Sequence, residues 1–165
     1  MGEKPSAVEL LRRSSGDACA GERAGEATES VSAAQTEALG GELARRLAGG
    51  DVVHLRGAIG AGKTTFVRGM ARALGVRATV SSPTFVIAQR YRGERLDLAH
   101  IDLYRLAEPE AEEPDLLADY RDQRTAVVIE WPEESALLVG EQARFKVTIE
   151  DLGGQRRLLR CEKRG

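Results

Sequence analysis

Residues 57–65 read Gly-Ala-Ile-Gly-Ala-Gly-Lys-Thr-Thr, the spacing G-x-x-x-x-G-K-[ST] of a phosphate-binding P-loop. Glycines at Gly60 and Gly62, with Ala61 between them, let the backbone wrap closely and turn successive N–H groups toward phosphate oxygens. Lys63 would bring a point charge to the β- and γ-phosphates. The Thr64 hydroxyl offers a hard oxygen ligand suited to Mg²⁺. Thr65 continues into a helix whose N-terminal dipole favours the same anion. Lys63 is thus a candidate catalytic as well as cofactor-binding residue.

A nucleotide–Mg²⁺ site also needs a carboxylate. Two acids, Asp102 and Glu130, end β-prone runs, where ligands bind in open α/β sheets. Either could hold Mg²⁺ directly or through water, or orient an attacking water; each could also be a strand-end acid that caps a helix or pairs with an arginine. Ser82 and Thr84 lie in a hydroxyl-rich loop, Val80-Ser81-Ser82-Pro83-Thr84, after the P-loop helix, where many P-loop proteins sense the γ-phosphate; an ordinary polar turn is the other reading. Trp131, beside Glu130, could stack on a base, lid the site, or belong to the core. The sequence contains no Asn, so the N-K-x-D guanine signature is absent and ATP is the expected nucleotide.

The motif carries this chemistry only between a buried strand and a helix. Val52–Leu55 supplies a short β-prone run, and residues 63–74 place Phe66, Val67, Met70, Ala71 and Leu74 on one helical stripe, with Gly75 as its stop. Upstream, Ser32-Ala33-Ala34-Gln35 is a capping box opening a helix that carries Thr36, Leu39, Leu43 and Leu47 and ends at Gly49-Gly50. Downstream, Phe85–Tyr91 and Leu96–Ile101 read as a hairpin around Arg92-Gly93-Glu94. The acidic stretch 107–124 holds one short amphipathic helix around Leu116, Leu117 and Tyr120. Thr125–Glu130 is a continuous apolar run ending in an acid, a strand buried on both faces that resembles a Walker B strand. Residues 143–150 and 156–161 form two more strands, expected to cap the sheet edge. The expected fold is therefore α/β: a three-layer P-loop NTPase-like architecture with a mixed, mostly parallel central sheet and flanking helices.

At 165 residues and a net charge of −2, the chain is expected to hold one domain, with no extensive basic surface for nucleic acid and no apolar run of the roughly 18 residues that span a membrane. The N-terminus has no apolar signal region. Cys19 and Cys161 lack metal-ligand spacing and read as reduced thiols of a cytoplasmic protein. Residues 1–28, rich in Gly, Ala, Ser and Glu, read as a flexible extension, leaving 29–165 as the P-loop domain. The basic cluster Arg156, Arg157, Arg160, Lys163 and Arg164 reads as an edge strand blunted by charge.

In order along the chain, Gly60-Ala61-Gly62-Lys63-Thr64-Thr65-Phe66 with Arg68-Gly69, then Ser82-Pro83-Thr84-Phe85, Tyr91, His100-Ile101-Asp102-Leu103-Tyr104-Arg105-Leu106, Asp119-Tyr120 and Glu130-Trp131-Pro132-Glu133 resemble the TsaE (YjeE) family, small bacterial P-loop ATPases required for threonylcarbamoyladenosine modification of tRNA. The resemblance spans residues 30 to about 160. It implies an ATPase that hydrolyses ATP inside a complex with two paralogous subunits, which transfer the threonylcarbamoyl group to adenosine 37 of tRNAs reading ANN codons. The tRNA would then be met through that complex. By motif position, Thr64 and Glu130 would hold Mg²⁺, Asp102 would sit in the metal shell or act in hydrolysis, Ser82 and Thr84 would form a switch-like loop, and Thr36 would contact the adenine. The chain departs from the family at Ala58-Ile59, where an acid and Leu are usual, and at Asp115-Leu116, where Leu-Gly is usual. Two other classes share the P-loop: a small-molecule kinase with Arg121 and Arg124 as lid arginines, and a nucleotide-binding regulator without turnover.

Overall fold

Residues 27–82, 88–104, 116–131 and 143–164 are described by a computed structural model. The P-loop strand lies at its centre. The elements are β1 (Ala27–Ser30), α1 (Ala33–Arg45), β2 (Val52–Arg56), α2 (Lys63–Ala73), β3 (Ala88–Tyr91), β4 (Asp97–Asp102), α3 (Leu116–Tyr120), β5 (Thr125–Glu130), β6 (Phe145–Gly153) and β7 (Arg156–Lys163). They form one seven-stranded sheet in the order β1-β7-β6-β2-β5-β4-β3. The inner strands β6, β2, β5 and β4 run parallel, while β7 and β3 oppose the rest through antiparallel pairings. This is the expected mixed α/β sheet.

Strands β2 and β5 are buried on both faces because both faces are covered. On one side Val53, Leu55, Ala126 and Val128 pack under Leu39 and Leu43 of α1 and Phe66, Val67 and Met70 of α2. On the other, Val52, Ala99, Ile101, Val127 and Ile129 form a second cluster, against which Tyr120 and Trp131 pack. Each fully buried Val, Leu or Ile contributes roughly 1.5–3 kcal/mol, whereas exposed ion pairs such as Arg156–Glu29 and Arg160–Glu150 contribute at most about 1 kcal/mol. The two apolar layers therefore hold the P-loop in place.

Helices α1 and α2 approach backbone to backbone. A Cβ on Gly69 would lie 1.8 Å from the Glu37 carbonyl oxygen, and one on Gly40 would lie 2.1 Å from that of Phe66. The glycine after Arg68 is thus fixed by packing.

Several local expectations shift. The capping box forms with one displacement: the Gln35 amide donates to Ser32 Oγ at 3.2 Å, but Gln35 Oε1 accepts from Val31 N–H at 2.8 Å, one residue before the cap. The regular helix ends at Arg45, short of Gly49-Gly50. Ala27–Ser30 forms a strand that no sequence pattern marks, pairing with β7 at the sheet edge. The β6–β7 hairpin therefore does not cap that edge: β6 lies beside β2, and β1 is outermost, because β6 supplies a second parallel partner for the P-loop strand. Cys161 on β7 is disulfide-bonded rather than a reduced thiol. Among the described residues, no helix is long and apolar enough to cross a membrane.

Candidate functional site

The P-loop runs from the end of β2 to the start of α2. Gly57, Gly60 and Gly62 all take positive φ, and Gly62 caps α2 in the left-handed region (φ 101°) that favours glycine. The first intrahelical bond is Phe66 N–H to the Gly62 carbonyl, so the amides of Lys63, Thr64 and Thr65 have no intrahelical acceptor. Those donors and the helix dipole suit the α2 N-terminus to an anion. Lys63 is only 7% exposed. Its Nζ donates to the carbonyls of Gly57 (2.8 Å) and Ala58 (3.1 Å), lies 3.8 Å from Glu130 Oε2, and sits 4.5 Å from the centre of the Trp131 ring.

The parallel register sets the acids side by side. Leu55 pairs with Glu130, and Glu130 with Asp102, so both carboxylates end strands next to the P-loop strand. Glu130 is buried, and His100 Nε2 lies 2.8 Å from its Oε1. With Nε2 donating to the carboxylate, His100 Nδ1 is left buried with no hydrogen bond among the described residues. The period of two along β4 puts His100 on the same face as Asp102.

Asp102 accepts a 3.1 Å hydrogen bond from the Tyr104 amide and a 3.4 Å contact from the Ser82 hydroxyl. Burial raises its pKa above the ordinary 3.8, and the neighbouring Glu130 charge adds to the rise. The fold therefore binds the Asp102 proton more tightly than the unfolded chain does. Stability is lost as pH climbs from about the ordinary value through the raised one, and the deficit persists at neutral pH. Without divalent cations, Asp102→Asn is expected to melt at a higher temperature than the parent at pH 7, with the gap closing below pH 4. Thermal melts in chelator across pH check this, and a constant gap would contradict it.

Trp131 is the only described non-glycine residue with positive φ, at 57°. That strain is worth about 1 kcal/mol or more, and it turns the ring over Lys63 and against Tyr104, whose ring centre lies 5.0 Å away. Trp131 thus stands at the lysine end of the P-loop. Thr36 is buried near the start of α1, with its hydroxyl 2.7 Å from Ser30 Oγ and donating to the Ser32 carbonyl at 3.3 Å, its hydrogen bonds thus running to β1 and the helix cap rather than to the P-loop. Ser82 lies beside Asp102, whereas Thr84 falls outside the described residues.

These groups suit a hard divalent cation: one hydroxyl (Thr64) and two adjoining carboxylates (Asp102 and Glu130), all oxygen donors. Among the described residues, no three His, Cys, Asp or Glu side chains converge into an all-protein cage. Mg²⁺ is usually held by one or two carboxylates together with phosphate oxygens, so the set fits that ion.

Residues 30–159 match the family model described as threonylcarbamoyl adenosine biosynthesis protein TsaE. The TsaE protein of Streptomyces coelicolor is 46% identical over 97 residues, covering 58% of this chain and 66% of that protein. Those of Treponema pallidum (44% identical; 73% of this chain, 86% of that protein) and Bacillus subtilis (37%; 77% and 78%) align over longer stretches. The chain spans about two thirds of the length of the Streptomyces and Synechocystis relatives, 66% and 64%. Among solved structures, the crystal structure of Bacillus subtilis YdiB superposes with a TM-score of 0.63 at 29% identity, covering 87% of this chain and 90% of that one.

Proposed function

The chain belongs to the TsaE family, and on that premise we propose that it is a Mg²⁺-dependent ATPase that supports threonylcarbamoyl modification of adenosine 37 in tRNAs reading ANN codons. It would act in the cytoplasm, within a complex of the two paralogous transferase subunits, and meet tRNA through them. The observation that carries the reading is the convergence of Lys63 and Glu130, 3.8 Å apart, at the mouth of the P-loop. A buried lysine held by its own loop carbonyls and one carboxylate is poised to exchange those oxygens for phosphate oxygens.

In this reading the amides at the start of α2, including those of Lys63, Thr64 and Thr65, cradle the phosphates, and Lys63 balances charge that grows on the β–γ bridge. Thr64 and Glu130 would hold Mg²⁺, which would supply positive charge across the phosphates. Asp102, whose affinity for a proton is raised by burial, accepts the proton of the attacking water. The water oxygen bonds to the γ-phosphorus as the bond to the β–γ bridging oxygen breaks, releasing phosphate and ADP. Ser82 and Thr84 report the γ-phosphate to the partner surface. Trp131 shields the lysine from solvent, and Thr36 flanks the adenine.

The test follows γ-labelled ATP with the purified chain, with and without the partner subunits. Label released as free phosphate, dependent on Mg²⁺ and altered by the partners, is the expected result. Label carried to a small acceptor would make the chain a kinase. ATP bound with no turnover under any condition would leave a regulatory module.

A further inference from the structure

We infer that Arg157 is a positioning residue for the P-loop, holding the loop's outer carbonyls so that its amides face the nucleotide. This rests on the nucleotide-binding reading above. The sequence sets Arg157 in a basic cluster that looks like an edge decoration, but its neighbours in that cluster behave differently. Arg156 pairs with Glu29 and Arg160 with Glu150, both exposed on the sheet. The Arg157 side chain is only 17% exposed and reaches back across the sheet end. Its Nε donates to the Ala61 carbonyl at 2.9 Å, and Nη2 lies 3.5 Å from the Gly60 carbonyl. The remaining nitrogen, Nη1, is fixed by the β6–β7 turn, donating to Asp151 Oδ1 (3.0 Å), the Gly154 carbonyl (2.9 Å) and the Arg156 carbonyl (2.8 Å). The guanidinium is therefore a rigid bracket between that turn and the P-loop.

In a trans peptide the C=O and N–H point in opposite directions. Tying the Ala61 oxygen to Arg157 therefore aims the Gly62 N–H away from Arg157, to the opposite side of the loop. Gly62 is conformationally free, with a φ that few other residues accept, so an external clamp replaces the stiffness its missing side chain cannot give. The nearest heavy atom to a Cβ built on Gly62 is Arg157 Nε, at 3.6 Å. β1 completes the bracket: Ser30 is the register partner of Arg157, and its hydroxyl contacts Thr36 at the start of α1. Only arginine presents several donors in a fixed fork; lysine offers a single mobile point.

The experiment titrates ATP, ADP and adenosine into the full chain by calorimetry, for the parent, Arg157→Met, Arg157→Lys, Arg160→Met and Lys63→Ala, with melting temperatures alongside. Arg157→Met keeps the aliphatic stem. It is expected to weaken ATP and ADP about tenfold, the equivalent of one charge-assisted hydrogen bond, with adenosine unchanged and a melting temperature like that of Arg160→Met. Arg157→Lys is expected to recover only part of the loss. ATP affinity equal to the parent in Arg157→Met overturns the inference. So does full recovery in Arg157→Lys, since charge without the fork would then suffice, and so does equal weakening of adenosine, which would make the role structural. A parent chain that binds no ATP would instead sink the nucleotide reading itself.

Discussion

Glu130→Gln is expected to cut phosphate release from Mg²⁺-ATP by about 10²–10³-fold, the cost of removing one preorganised charge from a site where charge develops. The fold should survive it. Glutamine keeps the shape, its oxygen can still accept from His100 Nε2, and Lys63 retains its hydrogen bonds to the Gly57 and Ala58 carbonyls. Alanine would be a poorer probe, because it leaves two polar neighbours facing a void, and truncating one member of a buried pair costs about 3–5 kcal/mol. The same substitution has an opposite effect on ground-state affinity. With Mg²⁺ removed, a buried carboxylate 3.8 Å from Lys63 would repel a polyphosphate and compete for that lysine. Glu130→Gln should then bind ATP more tightly than the parent in chelator, while turning it over far more slowly in Mg²⁺. Calorimetry in chelator and phosphate release in Mg²⁺ read the two effects separately. A variant that loses affinity in both conditions would show that Glu130 merely supports the loop.

Gly69→Ala is the second large effect, on stability. Alanine gains up to about 1 kcal/mol over glycine in a helix interior. Here the added methyl would stand 1.8 Å from the Glu37 carbonyl oxygen, a backbone atom that cannot rotate away. Helices α1 and α2 must separate, opening the Leu39–Phe66–Met70 layer between them. Overpacking of this kind costs about 1–3 kcal/mol and sometimes more, so the expected net loss is about 2 kcal/mol. At Gly41, the nearest backbone atom to an added Cβ is 3.4 Å away, and Gly41→Ala should be near neutral or stabilising. Chemical denaturation of the pair decides it: equal midpoints would mean that the helices accommodate the methyl. Because α2 carries Lys63, Thr64 and Thr65, Gly69→Ala should also weaken ATP binding, while Gly41→Ala should leave it unchanged.

The sequence by itself determined the features that depend on neighbouring residues. The P-loop is nine consecutive residues whose pattern of glycines, lysine and threonine sets the local backbone geometry, so the loop and the helix it opens were legible before any fold was known. So were strand β2, helix α2, whose apolar stripe reflects burial on one face, strand β5, whose apolar run reflects burial on both, and the capping box of α1. The family resemblance, carried by ordered short motifs, was legible for the same reason. Only the tertiary structure decided how those pieces meet. That Asp102 and Glu130 stand side by side, that His100 braces Glu130 and that Lys63 rests against it follow from the strand order β6-β2-β5-β4 and its register. Strand β1, without an apolar pattern because it lies at the sheet edge, and the hydrogen bond of Arg157 to a loop 96 residues earlier left no local trace. Local conformation is written in adjacent side chains. Contact between distant strands is chosen by the packing of the whole sheet, and no short stretch of sequence carries that choice.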